Sequence, residues 1–178
     1  MKKEIRIFVS YSSKDRELCE TLVSGLNEHL ANRDSFNFHL WSDKEIDFGA
    51  NWEDEIETAL NSCNVALLLV SSAFASSSFV NEKELAKFFK KKKQEKFLIL
   101  PVLVRKYDFS QFEMLSSLNF FKTYQSDYSF NDPGHRDKLM HFDKLAESEK
   151  TTKGQLNDYF YHLADYIHKA VKNWMAKN

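Results

Sequence analysis

The chain has 178 residues, 43% of them hydrophobic and 29% charged, which suits one globular domain. Its 25 Lys and Arg residues nearly balance its 26 Asp and Glu residues, so no basic surface for nucleic acid or for an anionic membrane is indicated. Only four glycines are present, and their positions fit neither glycine-rich motif that cradles nucleotide phosphates. The composition therefore excludes a Rossmann dinucleotide fingerprint and a P-loop.

The amino terminus and the cysteines indicate a cytoplasmic protein. The start, MKKEIRIFVSYSSKD, turns polar too early for the apolar region of a signal peptide. No apolar run reaches the roughly 18 residues that a membrane-spanning helix needs. Cys19 and Cys63 each lie among apolar residues of a helix-like stretch, and two thiols in a chain of this length do not make a disulfide framework. We therefore expect a reducing compartment and no membrane partner.

Strands and helices alternate from the amino terminus. Short apolar segments rich in β-branched and aromatic residues predict four strands: 5–9 (IRIFV), 36–41 (FNFHLW), 65–70 (VALLLV) and 97–104 (FLILPVLV). Apolar residues at helical spacing predict three helices: 14–31, about 52–63 and 79–92. Ser13 or Asp15 is the expected cap of the first helix. The uninterrupted run VALLLV is typical of a central parallel strand, and Pro101 favours an edge position or a bulge for the fourth strand.

The alternation predicts an α/β fold with an open parallel sheet of about five strands and helices on both faces. A short helix in QFEMLSSL (111–118) and the fifth strand in NFFKTY (119–124) complete the core, which we place at residues 1–124. Residues 125–154 are polar and hold half of the glycines, so an irregular connection is expected there, with one amphipathic piece around 139–145. Residues 155–178 carry an apolar stripe at three- and four-residue spacing, which predicts a helix that closes the same domain.

Open parallel sheets bind their ligands just beyond the carboxyl ends of the strands. In this chain those places are residues 10–13, 42–52, 71–79 and 105–107. A phosphoacceptor receiver domain would need a carboxylate pair after the first strand and an aspartate after the third to hold magnesium. The sequence has Ser-Tyr-Ser and Ser-Ser at these places, which excludes that class.

Four segments follow one another at characteristic spacing: FVSYSSKD at 8–15, LWSDKEIDFGANWEDEI at 40–56, ALLLVSSAFASSSFVNEKEL at 66–85 and ILPVLV at 99–104. Together they resemble the successive boxes of a TIR domain of bacterial type. The resemblance covers residues 4–104 and extends more loosely to about 124. It implies a flavodoxin-like sheet, self-association through TIR–TIR contacts that include the loop after the second strand, and in many members cleavage of NAD+ to nicotinamide and a linear, cyclic or conjugated ADP-ribose.

The resemblance also implies a catalytic glutamate. In the family this residue lies early in the third helix, after a serine-rich loop and just before a Leu or Ile, which in SFVNEKEL is Glu84. Glu82 is the rival, because in some members the spacing from the aromatic residue to the glutamate is shorter than from Phe79 to Glu84. Phe79-Val80 stands where the family has a Trp-Cys pair. The ordinary alternative for Glu84 is a solvated helix residue with Lys87 one turn away.

Cleavage of NAD+ requires few catalytic groups. Nicotinamide departs as a neutral molecule, so one carboxylate near the ribose suffices to stabilise the oxocarbenium character of the transition state. Aromatic side chains would form a wall, and polar ones would bind hydroxyls and phosphates. The expected substrate-binding residues are Ser10, Tyr11, Ser12, Asp43, Lys44, Phe48, Trp52 and Phe79, with Trp41 as a further candidate for the wall. We expect no metal and no cofactor, with NAD+ as the substrate.

Three functions stay open at this stage. The first is an NAD+-consuming enzyme of a bacterial antiviral or signalling system. The second is a non-enzymatic TIR adaptor that binds partners through the loop at 43–51, and the third is one domain of a larger receptor whose last helix continues into a sensor. An effector or sensor protein is the partner expected besides NAD+ and further copies of the chain. Individual residues also have plain alternatives: Trp52 as a core anchor and Asp43 as a turn residue.

Overall fold

The computed structural model describes residues 2–46, 49, 51–77, 84–94, 97–106, 115, 117–121, 142–148 and 151–177, except the side chain of Trp52. The strands in this part are β1 (Lys3–Ser10), β2 (Phe36–Trp41), β3 (Val65–Val70) and β4 (Leu98–Leu103). The helices are α1 (Arg16–Ala31), α2 (Trp52–Ser62), α3 (Ser72–Ala75), α4 (Ala86–Lys93), α5 (Phe142–Ala146) and α6 (Lys153–Met175). Short 3-10 turns occupy Ser13–Asp15 and Asp43–Glu45. Among these helices none is both long and apolar enough to span a membrane.

The four strands form one parallel sheet in the order β2-β1-β3-β4. The chain moves outward from β1 to β2 and then returns to the other side of β1 to form β3. In open α/β sheets, a crevice forms at the carboxyl ends of the two strands where the order reverses. Here those ends are Ser10 of β1 and Val70 of β3, so the topology places the crevice beside Ser10.

Each face of the sheet is covered by its own set of helices. Ile5, Ile7 and Val9 of β1 share a core with α1, α5 and α6, whereas Phe8 lies in the core formed with α2 and α4. This division follows from the two-residue period of a strand, which turns successive side chains to opposite faces. All six residues of β3 are buried, as expected for a strand covered on both sides.

The predicted strands and helices are largely confirmed. β2 and β3 have the predicted bounds, and β4, which contains Pro101, is one of the two outer strands of the described sheet. Of the expected fifth strand, Phe121 forms a parallel bridge with Val102 and donates its backbone N–H to the carbonyl of Pro101 at 2.9 Å. Residues 122–141, which include the end of NFFKTY, and most of QFEMLSSL lie outside the described residues, so the fifth strand stays a prediction.

The prediction of Ser13 or Asp15 as the cap of α1 is confirmed only for the position of Asp15. Ser12 caps the 3-10 turn, with its Oγ accepting from the backbone N–H of Lys14 at 3.4 Å, and Ser13 is not the cap. Asp15 occupies the N-cap position of α1, yet its carboxylate makes no capping hydrogen bond. The carboxylate is instead bound by side chains that follow β3 and β4, as described below.

The carboxyl-terminal helix packs along α1. α6 begins with a capping box, in which Thr152 and Gln155 bond each other's backbone N–H groups. Its apolar stripe then enters the core shared with α1 and the sheet, through Tyr159, Phe160, Leu163, Ala164, Ile167 and Val171. Gly25 of α1 lies directly against the ring of Phe160, which leaves no room for a side chain at that position.

Candidate functional site

The site centres on a hydrogen bond between Ser10 and Glu84. The hydroxyl of Ser10, the last residue of β1, donates to Oε2 of Glu84. Both residues are buried, and Glu84 is only 5% exposed. The alternative of a solvated helix residue is therefore wrong for Glu84, and Lys87 pairs with Glu57 at 2.7 Å.

The pairing of Ser10 with Glu84 follows from the registers of a strand and a helix. Ser10 follows Phe8 by two positions, so both face the core that contains α4. Glu84 precedes Phe88 by four positions, which places the two on one face of the helical segment. The rings of Phe8 and Phe88 meet edge to face, with centroids 5.5 Å apart. The apolar pair thus fixes the helix against the strand, and the polar pair lies next to it at the edge of the sheet.

The buried carboxyl of Glu84 has a strongly altered acidity. Burial raises the pKa of Glu84 from its ordinary value of 4.5 to about 7. The hydrogen bond from Ser10 lowers the pKa and so opposes part of this shift, whereas the negative charge of Asp43 raises it further. Near neutral pH the group is therefore a mixture of the carboxylic acid and the carboxylate.

Tyr11 and Asp43 form a second pair beside the first. The phenol of Tyr11 donates to Oδ1 of Asp43, and Arg16 approaches Oδ2 of the same carboxylate at 3.4 Å. Burial, together with the adjacent Asp43, raises the pKa of Tyr11 well above its usual range, so the phenol stays a hydrogen-bond donor. The carboxylate of Asp43 acts between side chains rather than only within its own turn, and Arg16 is a participant that the sequence reasoning missed.

Two other residues expected to bind substrate, Ser12 and Lys44, have partners within the chain. Ser12 is buried and caps the turn after β1. Lys44 is bound to Glu20 of α1, with Nζ and Oε1 2.6 Å apart, and its side chain is about half exposed. Trp41 stacks on Phe8 with ring centroids 4.9 Å apart. Phe48, Phe79, the side chain of Trp52 and the rival Glu82 lie outside the described residues.

A buried aspartate joins the strand ends next to the site. Asp15, 2% exposed, accepts from Oγ of Ser71 at 2.5 Å and from Nε of Arg105 at 2.9 Å. Arg105 also binds Glu147, with Nη2 and Oε1 2.7 Å apart. The sequence places Ser71 and Arg105 at the carboxyl ends of their strands, but no local pattern connects them with Asp15. The sequence signal for Asp15 is its position in the turn that follows the first strand, which is equally typical of a helix cap.

The arrangement can support chemistry at one carboxyl group. Glu84 could stabilise positive charge near the crevice, while Ser10 and the Tyr11–Asp43 pair provide polar groups beside it. Within the described residues, no three His, Cys, Asp or Glu side chains are grouped so as to hold a metal ion. Cys19 and Cys63 are buried, and burial raises the pKa of their thiols to about 12 and about 11, so both stay protonated.

Comparison with known proteins gives one family. The sequence model of the TIR domain family matches residues 7–139, more than half of the chain. Among solved structures, the TIR domain of the Toll-related receptor TRR-2 from the lower metazoan Hydra magnipapillata is similar: it is 19% identical, the match covers 64% of this chain and 80% of that one, and the TM-score is 0.47. No curated protein matches the chain in sequence. On the family match, and with the parallel α/β sheet in place, the chain belongs to the TIR domain family.

Proposed function

We propose that this TIR domain is an NAD+ glycohydrolase of bacterial type, with Glu84 as its catalytic residue. The substrate is NAD+, and the bond that breaks joins nicotinamide to ribose. The observation that carries the proposal is the buried Glu84, held by Ser10 at the carboxyl edge of the sheet where ligands of this fold bind.

The reaction needs little more than this carboxylate. As the C1′–N bond breaks, its electron pair leaves with the nitrogen of nicotinamide, and positive charge develops on the ribose. A carboxylate held close to the ribose stabilises that charge. Water then adds to C1′ and loses a proton, which gives ADP-ribose; an internal nucleophile in place of water would give a cyclic product. No metal or further cofactor takes part.

The raised pKa of Glu84 suits a cationic substrate. Placing an uncompensated carboxylate in a buried site costs free energy, which is why the pKa lies near 7 without substrate. The pyridinium ring of NAD+ carries a positive charge that would favour the ionised form. Substrate binding and deprotonation of Glu84 therefore reinforce each other, and the carboxylate is present when the bond begins to break.

The test is nicotinamide release from NAD+ by the parent protein and by Glu84→Ala. We expect Glu84→Ala to lose at least about a hundredfold in rate, in line with the loss of one group that stabilises transition-state charge. Glu55→Gln is the matched control, because Glu55 is an exposed carboxylate of α2. Equal rates for the parent and Glu84→Ala would rule out the assignment of Glu84.

The adaptor is the second candidate function, and the Asp43–Glu45 turn beside the site favours it, because Lys44 and Glu45 are exposed there. A concentration series separates the two functions. An enzyme whose site is completed by a neighbouring copy would show activity per molecule that rises steeply with protein concentration. Absence of turnover at every concentration, with and without a crowding agent, would leave the adaptor. We place the protein in the cytoplasm, in bacterial antiviral defence or signalling, where TIR–TIR contacts and an effector or sensor protein would control it.

A further inference from the structure

The carboxylate of Asp15 connects three strand ends through two hydrogen bonds. Asp15 belongs to the turn that follows β1, Ser71 directly follows β3, and Arg105 comes two residues after the end of β4. Each carboxylate oxygen has one partner: Oδ2 accepts from Ser71 and Oδ1 accepts from Arg105. A buried carboxylate is stable only when it is bound in this way. Asp15 and Arg105 together therefore fix how the three strand ends lie relative to one another.

Two of these strand ends lead into the site. The backbone from Asp15 back to Ser10 is short and carries Ser12, whose carbonyl accepts from the N–H of Asp15 at 2.7 Å. On the other side, Ser71 also accepts from the N–H of Phe74 at 3.0 Å, which caps the start of α3. A displacement of Asp15 would therefore move the turn that carries Ser10, the donor of the hydrogen bond to Glu84.

Arg105 extends this connection to the outside of the molecule. Its side chain is 34% exposed, and besides Asp15 it binds Glu147 at 2.7 Å and approaches Asp143 at 3.8 Å. Asp143 lies on α5, and its backbone N–H donates to the carbonyl of Val104 at 2.9 Å. The guanidinium fork thus joins α5 to the carboxylate that holds the strand ends.

We propose that Arg105 is a positioning residue of this TIR domain. Through its ion pair with Asp15, Arg105 holds the hydroxyl of Ser10 against Glu84, and a second ion pair with Glu147 keeps Arg105 in place. The inference rests on the proposed function only for its kinetic consequence. Arg105 itself has no part in bond breaking, because its guanidinium is bound to three carboxylates of the chain.

The test compares Arg105→Met, Arg105→Lys and the control Arg33→Met. Arg33 also has a partly buried side chain, binds Asp165 at 3.2 Å, and follows α1 at the opposite edge of the sheet. We expect Arg105→Met to lower kcat about tenfold at neutral pH, less than the roughly hundredfold cost of a 1 Å misplacement, because Arg105 acts on Glu84 only through Asp15 and Ser10. Because the bond from Ser10 lowers the pKa of Glu84, Arg105→Met should also shift the pH profile upward, as Ser10→Ala does. Arg105→Lys should keep most of the parental rate, and Arg33→Met should keep the parental pH profile.

A double variant shows whether Arg105 acts through Ser10. If it does, Ser10→Ala with Arg105→Met shifts the profile no further than the larger of the single shifts. Additive shifts, or a parental profile in Arg105→Met, would overturn the inference. If Arg105→Met does not fold, Arg105→Lys and Glu147→Gln are compared with the parent in its place. Each should shift the pH profile upward by a smaller amount. The inference is overturned if neither variant shifts the profile.

A readout independent of turnover separates this inference from the proposed function. The carboxyl carbon of Glu84 can be titrated by NMR in the full chain, with Glu84→Gln to assign its signal. Arg105→Met should raise the midpoint, and an unchanged midpoint would overturn the positioning role even if no variant releases nicotinamide. Conversely, a raised midpoint without any nicotinamide release by the parent would uphold the positioning role and reject the enzyme.

Discussion

At the scale of single residues, Glu84 lowers the stability of the protein as the pH rises. Its pKa is about 7 in the folded chain and near the ordinary 4.5 when unfolded, so the native state keeps its proton over a pH range in which the unfolded state has lost it. Stability contributed by this group is therefore present at low pH and is lost as the pH rises from about 4.5 to about 7.

The first prediction concerns Glu84→Gln. A neutral amide resembles the protonated acid, so the substitution should raise the free energy of unfolding by about 2–3 kcal/mol at pH 8 and change it little at pH 5. Urea unfolding at both pH values measures the difference. Glu55→Gln, on the exposed surface, should show no such pH-dependent gain. A Glu84→Gln protein that is less stable than the parent at pH 8 would contradict the raised pKa.

The second prediction concerns Ser10→Ala. Its hydroxyl is the neighbour that stabilises the ionised form of Glu84, so its removal should raise the pKa further, by roughly 1–2 units for one hydrogen bond to a charged group. The pH at which nicotinamide release is half-maximal should rise accordingly, and the rate should recover in alkaline buffer. Ser62→Ala is a suitable control, because its hydroxyl donates to the carbonyl of Ala59 within α2. A downward shift in Ser10→Ala would contradict the observed hydrogen bond.

The site was predictable where it follows a sequence period. Ser10 lies two positions from Phe8 and Glu84 lies four from Phe88, so a strand and a helix that place the phenylalanines together also place the polar pair together. Asp15 with Arg105 was not predictable in this way, since ninety residues of sequence separate them and no local period connects them. Arg16 was missed for the same reason, because only the fold brings it to Asp43.

At the scale of elements, the close packing of α1 against α6 depends on one small residue. Gly25 lies inside α1, where alanine would ordinarily be favoured by about 1 kcal/mol. A Cβ at this position would stand 2.5 Å from Cζ of Phe160 and closer still to two other ring carbons. The contact explains why a glycine occurs in the middle of a helix in a chain that has so few of them.

The third prediction is that Gly25→Ala destabilises the protein by about 1–3 kcal/mol, the usual cost of overpacking a core. Urea unfolding monitored by circular dichroism measures it. Phe160→Leu in the same chain should relieve the clash, so the two substitutions together should cost less than the sum of their separate effects. A Gly25→Ala protein more stable than the parent would show that helix propensity outweighs the contact.

Elements with strong periodicity were predictable, and their ends were less so. The fully apolar VALLLV and the amphipathic stripe of α6 gave β3 and α6 nearly at their bounds, because burial on two faces or on one face leaves a clear pattern. The turn before α1 was harder, since Ser12, Ser13 and Asp15 are all good caps and only the tertiary partners of Asp15 decide between them. Propensity ranks the candidates, and packing selects one.

At the scale of the whole molecule, the two faces of the sheet have different roles. The face covered by α2 and α4 holds Phe8, Phe88 and, at its edge, Ser10 with Glu84. The other face is closed by α1 and α6, far along the sequence from each other, and contains most of the large core. The stability of the site therefore depends on α6, although α6 contributes no side chain to the site.

The fourth prediction follows from that dependence. A chain ending at residue 151 would lack α6 and would expose the apolar surface that Phe160, Leu163, Ile167 and Val171 cover. Each such buried side chain is worth about 1.5–3 kcal/mol, so the loss approaches or exceeds the whole stability of a typical domain, about 5–15 kcal/mol. We expect thermal unfolding of this chain to lose its cooperative transition and its near-ultraviolet circular dichroism. A chain ending at Met175 keeps α6 and should unfold like the parent. Cooperative unfolding by the shorter chain would show that the sheet and the Ser10–Glu84 pair stand without the helix.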